Sequence, residues 1–226
     1  MVTQAIALGP EFDHLPDDTE EMLVGATSHQ GSINLLYDSL ILCGPERGLA
    51  WLVGNQLTLI IPRQGGGRPY QPSPDIMVHP TLGDIERTSL NVAIDGPPVL
   101  IVEVASPSTS RAADLNLSSP SGKPGVYASA GVLEYLVFDP TGDLIPNQVR
   151  AWRMGASGYE PWEAGADGRW HCQSLGISFA PQGLRLRVYD QDGQLVPTIR
   201  EIVEDRRRAA ERVATLEAEN RRLRGE

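Results

Sequence analysis

The sequence predicts a mixed α/β fold: a β-sheet core flanked by helices, with a β-hairpin extension and a C-terminal coiled-coil helix. Three observations carry that reading. The text PPVLIVEVASPS, then KPGVYASAG, then LEYLVFDP runs strand, helix, strand, which makes a crossover unit. From about Gln148 to Asp192 short alternating or aromatic segments are split by Gly and Asp, as in hairpins. The last stretch, REIVEDRRRAAERVATLEAENRRLRGE, spaces Ile202, Arg206, Ala209, Val213, Leu216, Asn220 and Leu223 by three and four, a heptad seam with Asn220 at an a position.

The elements follow in chain order. Residues 1–19 are turn-rich and acidic. Ile33, Leu36, Tyr37, Leu40 and Ile41 then recur at helical spacing, with Thr27 or Ser28 as the cap and Gly44-Pro45 as the stop. LAWLV and QLTLIIP read as two strands around a Gly-Asn turn, and QGGGRPYQPSP as a loop. DIMVH is the next strand. The run from Val99 to Ala105 is so continuously apolar that it should be buried on both faces, at the centre of a sheet. A short helix around Val126 to Ala130 ends in a turn at Gly131, before the strand LEYLVFD.

Composition bounds what such a chain can do. With 226 residues, 41% of them hydrophobic, it can bury one sizeable core, and its 23 Gly and 18 Pro imply many tight turns. A net charge of −10 excludes a broad electropositive surface, so contact with an anionic polymer needs a local patch or metal ions. The two cysteines, Cys43 and Cys172, are far apart and suit reduced thiols. The N-terminal text lacks a basic leader, and nowhere do 18 apolar residues run together, so the expectation is a soluble cytoplasmic protein.

Glu103 is the sharpest chemical feature, a carboxylate inside the most apolar strand. It should be paired with a cation, bound to metal or protonated, and a buried salt bridge is as good a reading as catalytic duty. Asp75 opens another apolar strand after PSP, either as a turn residue or as a partner to Glu103 if the two strands pair. Two carboxylates at one end of a sheet repel unless a cation lies between them, and Mg²⁺ suits two carboxylates, a carbonyl and water. Lys123, at a loop-to-helix junction, could orient that water or neutralise charge on a phosphate; alone, it would read as a solvated side chain.

PSPDIMVHP, PPVLIVEVASPSTS and K-x-x-x-YASAGVLEYLVFDP together resemble the Uma family of restriction-endonuclease-like proteins, a branch of the PD-(D/E)XK nuclease superfamily. The likeness covers roughly residues 20–140, with the three blocks in the family's order. It implies a restriction-endonuclease-like core over 1–147, followed by the β-rich extension at 148–197 and the tail at 198–226. It also implies a Mg²⁺- or Mn²⁺-dependent endonuclease acting on DNA. Asp75, Glu103 and Lys123 would be its catalytic residues, and Asp75, Glu103 and the Val104 carbonyl its metal ligands. The slot two residues after the Glu holds Ala105, and in this family the lysine moves to the helix, at the spacing of Lys123 to Tyr127. TEEMLVGATSHQ is similar to the family's early Glu and His-Gln helix, which makes Glu21 an accessory carboxylate ahead of Glu20.

A second reading is a non-catalytic dimeric interaction module that retains the nuclease fold. The acidic charge favours it, as does the insert LNLSSPSG before Lys123. Ser106 and Ser108 lack a G-x-S-x-G elbow and read as hydroxyls that tie down a turn. GGG at 65–67 lacks the G-K-[ST] of a phosphate loop. Of His14, His29, His79 and His171, none has zinc spacing and only His29 stands to approach the site. The tail is expected to form a homodimer through residues 202–223, its alternative being to pack on its own domain or fray.

Overall fold

The computed structural model describes residues 19–46, 51–63, 65–83, 86–105 and 122–225. The chain forms α1 (Thr19–Glu46), β1 (Leu52–Asn55), β2 (Thr58–Ile60), β3 (Ile76–His79), β4 (Ser89–Asn91), the one-turn α2 (Val92–Asp95) and β5 (Leu100–Val104). It continues through α3 (Lys123–Ala130), β6 (Glu134–Phe138), β7 (Val149–Gly155), β8 (Gly158–Pro161), β9 (Trp170–Cys172), β10 (Ile177–Gln182), β11 (Arg185–Tyr189) and α4 (Ile199–Arg224).

Every residue of β5 is buried, as its apolar run requires, and it lies inside a six-stranded sheet of order β1-β3-β5-β6-β7-β8. β5 and β6 are parallel, joined through α3, while the other neighbouring pairs are antiparallel. The crossover read from the sequence is therefore present. Gly131 ends α3 in the left-handed region at φ 85°, where its N–H reaches back to the last turn and a side chain would be strained.

The period of two divides the sheet's residues between two cores. Val78, Leu100, Val102, Val104, Leu136 and Phe138 face α1 and the small sheet β11-β10-β9. Met77, Ile101, Tyr135 and Val137 belong to the opposite core, with Val126, Tyr127 and Ala130 of α3. One core is covered by α1 and the small sheet and the other by α3, the arrangement of a sheet flanked on both faces.

Three local expectations change. α1 begins at Thr19, so Thr27 and Ser28 lie inside it rather than at its cap. Gly44-Pro45 falls within its final turn instead of stopping it. The glycine there serves packing: a Cβ on Gly44 would lie 2.1 Å from the Trp51 indole nitrogen, which donates to the Leu40 carbonyl at 3.0 Å. β1 and β2 exist but do not pair with each other. β1 joins β3, and β2 pairs in parallel with β4.

The stretch 148–197 is β-rich, and its strands divide between two sheets: β7 and β8 complete the six-stranded one, and β9 to β11 form the other. Leu186 and Val188 of β11 and Phe179 of β10 pack into the core that α1 lines with Ile33, Leu36 and Leu40. Among the described residues no helix is long and apolar enough to cross a membrane.

Candidate metal and catalytic site

The site is built where β3 begins and β5 ends. Prolines 72 and 74 cannot donate to a ladder, which leaves the segment before β3 irregular. Its carbonyls are used instead: Pro72 O accepts from Leu59 N at 2.8 Å and Asp75 O from Gln56 N at 3.2 Å. The antiparallel register pairs Ile76 with Val102 and Met77 with Ile101, so one further step sets Asp75 across from Glu103. The Asp75 N–H points to Glu103 Oε2 at 3.4 Å, and Asp75 Oδ2 accepts the Val104 N–H at 2.8 Å.

Glu103 has the parity of Ile101 and so faces α3, only 2% exposed. Lys123 and Tyr127 stand one turn apart on α3 and therefore share a helix face. Both reach the same carboxylate oxygen: Tyr127 Oη donates to Glu103 Oε1 at 2.8 Å, and Lys123 Nζ lies 3.1 Å from it. Lys123 keeps 30% of its side chain exposed, so the cation sits at the mouth of the site while the carboxylate lies inside.

His29 of α1 closes the other side, with Nε2 3.7 Å from Asp75 Oδ2. Its polar contact with Asp75 holds the imidazole above its ordinary pKa, against a lowering by burial. The Asp75 charge, the Val104 backbone and the Glu103 charge all act in the same upward direction. The field here favours positive charge.

That field and the donor chemistry fit a hard divalent cation. Among the described residues no group of three or more His, Cys, Asp or Glu side chains could hold a metal ion. A cation here would therefore rest on Asp75, Glu103, the Val104 carbonyl and water, an oxygen set that suits Mg²⁺ or Mn²⁺.

Of the residues singled out in the sequence, the structure brings together Asp75, Glu103, Val104, Lys123 and His29. Glu21 lies on α1, but its side chain is outside the described residues, as are Ser106, Ser108 and His14. His79 is elsewhere, bonded to Asp95 O, and His171 pairs with Asp167 at the surface. Sequence reasoning used Tyr127 only as a spacing marker. Its contact with Glu103 was available in the K-x-x-x-Y interval, because four residues on a helix put both groups over the same strand.

Another buried carboxylate, Glu134 on β6, has no local signal in the sequence. It accepts Arg153 Nε at 3.0 Å, Gln173 N at 2.8 Å, Ser174 N at 3.2 Å, the Cys172 thiol at 2.9 Å and the Ser174 hydroxyl. The thiol is pushed well up, first by burial and then by the Glu134 charge. Glu134 joins β6 to the turn after β9, a structural task.

A family model named Uma2, described as "Putative restriction endonuclease", matches residues 10–198. Among solved structures, the chain is similar to a crystal structure titled as a "putative nuclease" from Anabaena variabilis. The two share 13% identity, with 78% of this chain and 75% of that chain covered and a TM-score of 0.36. No curated protein matches the chain.

Proposed function

The chain belongs to the Uma2 family, and from that premise we propose a metal-dependent endonuclease that hydrolyses phosphodiester bonds of DNA. Asp75, Glu103 and the Val104 carbonyl hold Mg²⁺ or Mn²⁺, with Glu21 as an accessory carboxylate. The observation that carries this reading is the approach of Lys123 Nζ to the buried Glu103 carboxylate at 3.1 Å, one helical turn from the Tyr127 hydroxyl on the same oxygen.

A bound cation supplies Lewis acidity toward the phosphoryl oxygen and lowers the pKa of a water. The chain's own residues do the rest. The Val104 N–H orients Asp75, and Tyr127 fixes one oxygen of Glu103. Lys123, partly exposed and anchored by the carboxylate, orients the attacking water and offsets charge as the phosphate becomes pentacovalent. His29 adds positive charge beside Asp75 and favours the approach of an anionic backbone. The homodimer through residues 202–223 belongs to the same proposal.

The interaction-module reading expects Lys123 in solvent and Glu103 paired with an arginine. The Lys123 to Glu103 contact favours the enzyme. The test is cleavage of supercoiled plasmid with Mn²⁺ or Mg²⁺, wild type beside Glu103→Ala and Asp75→Ala. Nicking or linearisation that disappears in both variants, with the fold retained, supports the proposal. Wild-type inertness across a panel of DNA and RNA substrates with either metal sinks it.

A further inference from the structure

α4 is the element that cleavage chemistry leaves without a task. It starts at Ile199, one residue past the segment that the family model matches. Its first turn is tied to the core: Thr198 and Glu201 form a capping box, and Arg187 of β11 donates to both Glu201 oxygens, at 3.2 and 2.9 Å. Ile202 is still half-buried. Farther on, the helix runs away from its own domain, with Val203, Val213, Leu216 and Leu223 at 59%, 53%, 59% and 73% exposure. Packing on its own domain, the alternative read from the sequence, is not adopted among the described residues.

The charges flanking this seam are complementary to a second copy of the same helix. With Asn220 at an a position, Val213 is also an a residue and Leu216 and Leu223 are d residues, which leaves Arg212 and Glu219 at g and Glu217 and Arg224 at e. In a parallel, in-register pair each g residue meets the e residue of the partner's following heptad. Arg212 then meets the partner's Glu217, and Glu219 meets the partner's Arg224, opposite signs in both cases and twice each by symmetry. Arg206, an awkward a residue, falls beside the partner's Asp205, and Asn220 falls opposite the partner's Asn220, where the two amides can bond. In a chain of net charge −10, α4 itself carries eight arginines against six carboxylates, so a second copy meets no bulk repulsion there.

We propose that α4 forms a parallel, in-register two-stranded coiled coil with a second copy of this chain, which sets two nuclease cores at the same end of one stalk. The same-end placement follows from the Thr198, Glu201 and Arg187 clamp, because parallel helices leave their cores together. This deepens the homodimer proposed above and does not depend on catalysis, so size and cross-linking read it independently of any cleavage assay.

Sedimentation equilibrium on the full chain should give twice the chain mass. Leu216→Asp should give a monomer with the near-UV spectrum of the core retained. Val213→Cys should cross-link to itself on oxidation, because facing a residues lie within disulfide reach. Glu217→Arg should weaken the dimer about tenfold, and adding Arg212→Glu in the same chain should restore it. A monomeric wild type at tens of micromolar overturns the proposal, as does a dimer indifferent to Leu216→Asp. Failure of Val213→Cys to cross-link excludes the parallel register. Association that appears only when duplex DNA is added assigns the helix to nucleic acid instead, and also overturns it.

Discussion

Tyr127→Phe isolates one bond of the candidate site. Tyr127 is fully buried, its ring meets Tyr135 edge-on with centroids 5.1 Å apart, and its hydroxyl donates to Glu103 Oε1 at 2.8 Å. Phenylalanine keeps the ring and leaves no orphaned donor, so the change removes the hydroxyl with its hydrogen bond to the carboxylate. Bonds to charged groups contribute about 1.5–3 kcal/mol. Lys123 remains on the same oxygen and takes over part of that stabilisation, which puts the expected loss at about 1.5 kcal/mol. The assay is urea unfolding, read as a lowered midpoint at unchanged slope. The same variant should also lose roughly 10–100-fold in Mn²⁺ affinity or cleavage rate, because a group that orients a ligand tunes the site. A midpoint equal to wild type would refute the bond. Lost stability with unchanged metal binding would make Tyr127 a core residue and no more.

Glu134→Ala should cost about 3–5 kcal/mol in the same assay, since it strands the Gln173 and Ser174 amides and the Arg153 guanidinium around a nearly inaccessible carboxylate. A loss under about 1 kcal/mol would show those donors finding water. His79 gives a pH prediction. Nε2 bonds the Asp95 carbonyl at 2.9 Å and Nδ1 faces the Thr81 N–H at 3.4 Å, an arrangement for the neutral ring, and burial is the main cause lowering its pKa from 6.5. A lowered histidine pKa means the unfolded chain binds the proton more readily. Its contribution is therefore present above pH 6.5 and is lost as pH falls below it. Urea midpoints of wild type and His79→Gln should converge on acidification from pH 7.5 to 5.5, at about neutral and mildly acid conditions; a constant gap would contradict this assignment.

The parts legible in the sequence were those written in local periodicity. Continuous burial of β5 follows from an unbroken apolar run, the stop at Gly131 from glycine's left-handed freedom, and the helix at α4 from spacings of three and four. Pairing partners were not legible. β1 and β2 look like a hairpin, but β1 completes the large sheet beside β3 and β2 finds β4 some thirty residues on. Nothing local distinguishes those choices, because a strand's partner is decided by which surface remains to be buried. The length of α1 was hidden in the same way, since Gly44 reads as a stop until Trp51 is seen occupying the space it leaves. Glu134 carries no local signal, because its donors come from residues 19 to 40 positions away.

Two buried carboxylates of the described sheet, Glu103 and Glu134, differ in what surrounds them, and the difference separates a candidate site from scaffold. Glu134 is surrounded by donors that complete its shell, two backbone amides, an arginine, a hydroxyl and a thiol, and such a carboxylate has nothing left to offer a ligand. Glu103 lies next to a second carboxylate, and the described side chains that meet the pair include Tyr127, the partly exposed Lys123 and a histidine whose proton affinity is raised. Lys123 and His29 are only partly buried, at 30% and 22% side-chain exposure. A scaffold gains from fixed neutralisation. Beside the Asp75 and Glu103 pair, Lys123 brings positive charge and His29 favours it, a field that would suit a divalent cation in the same place.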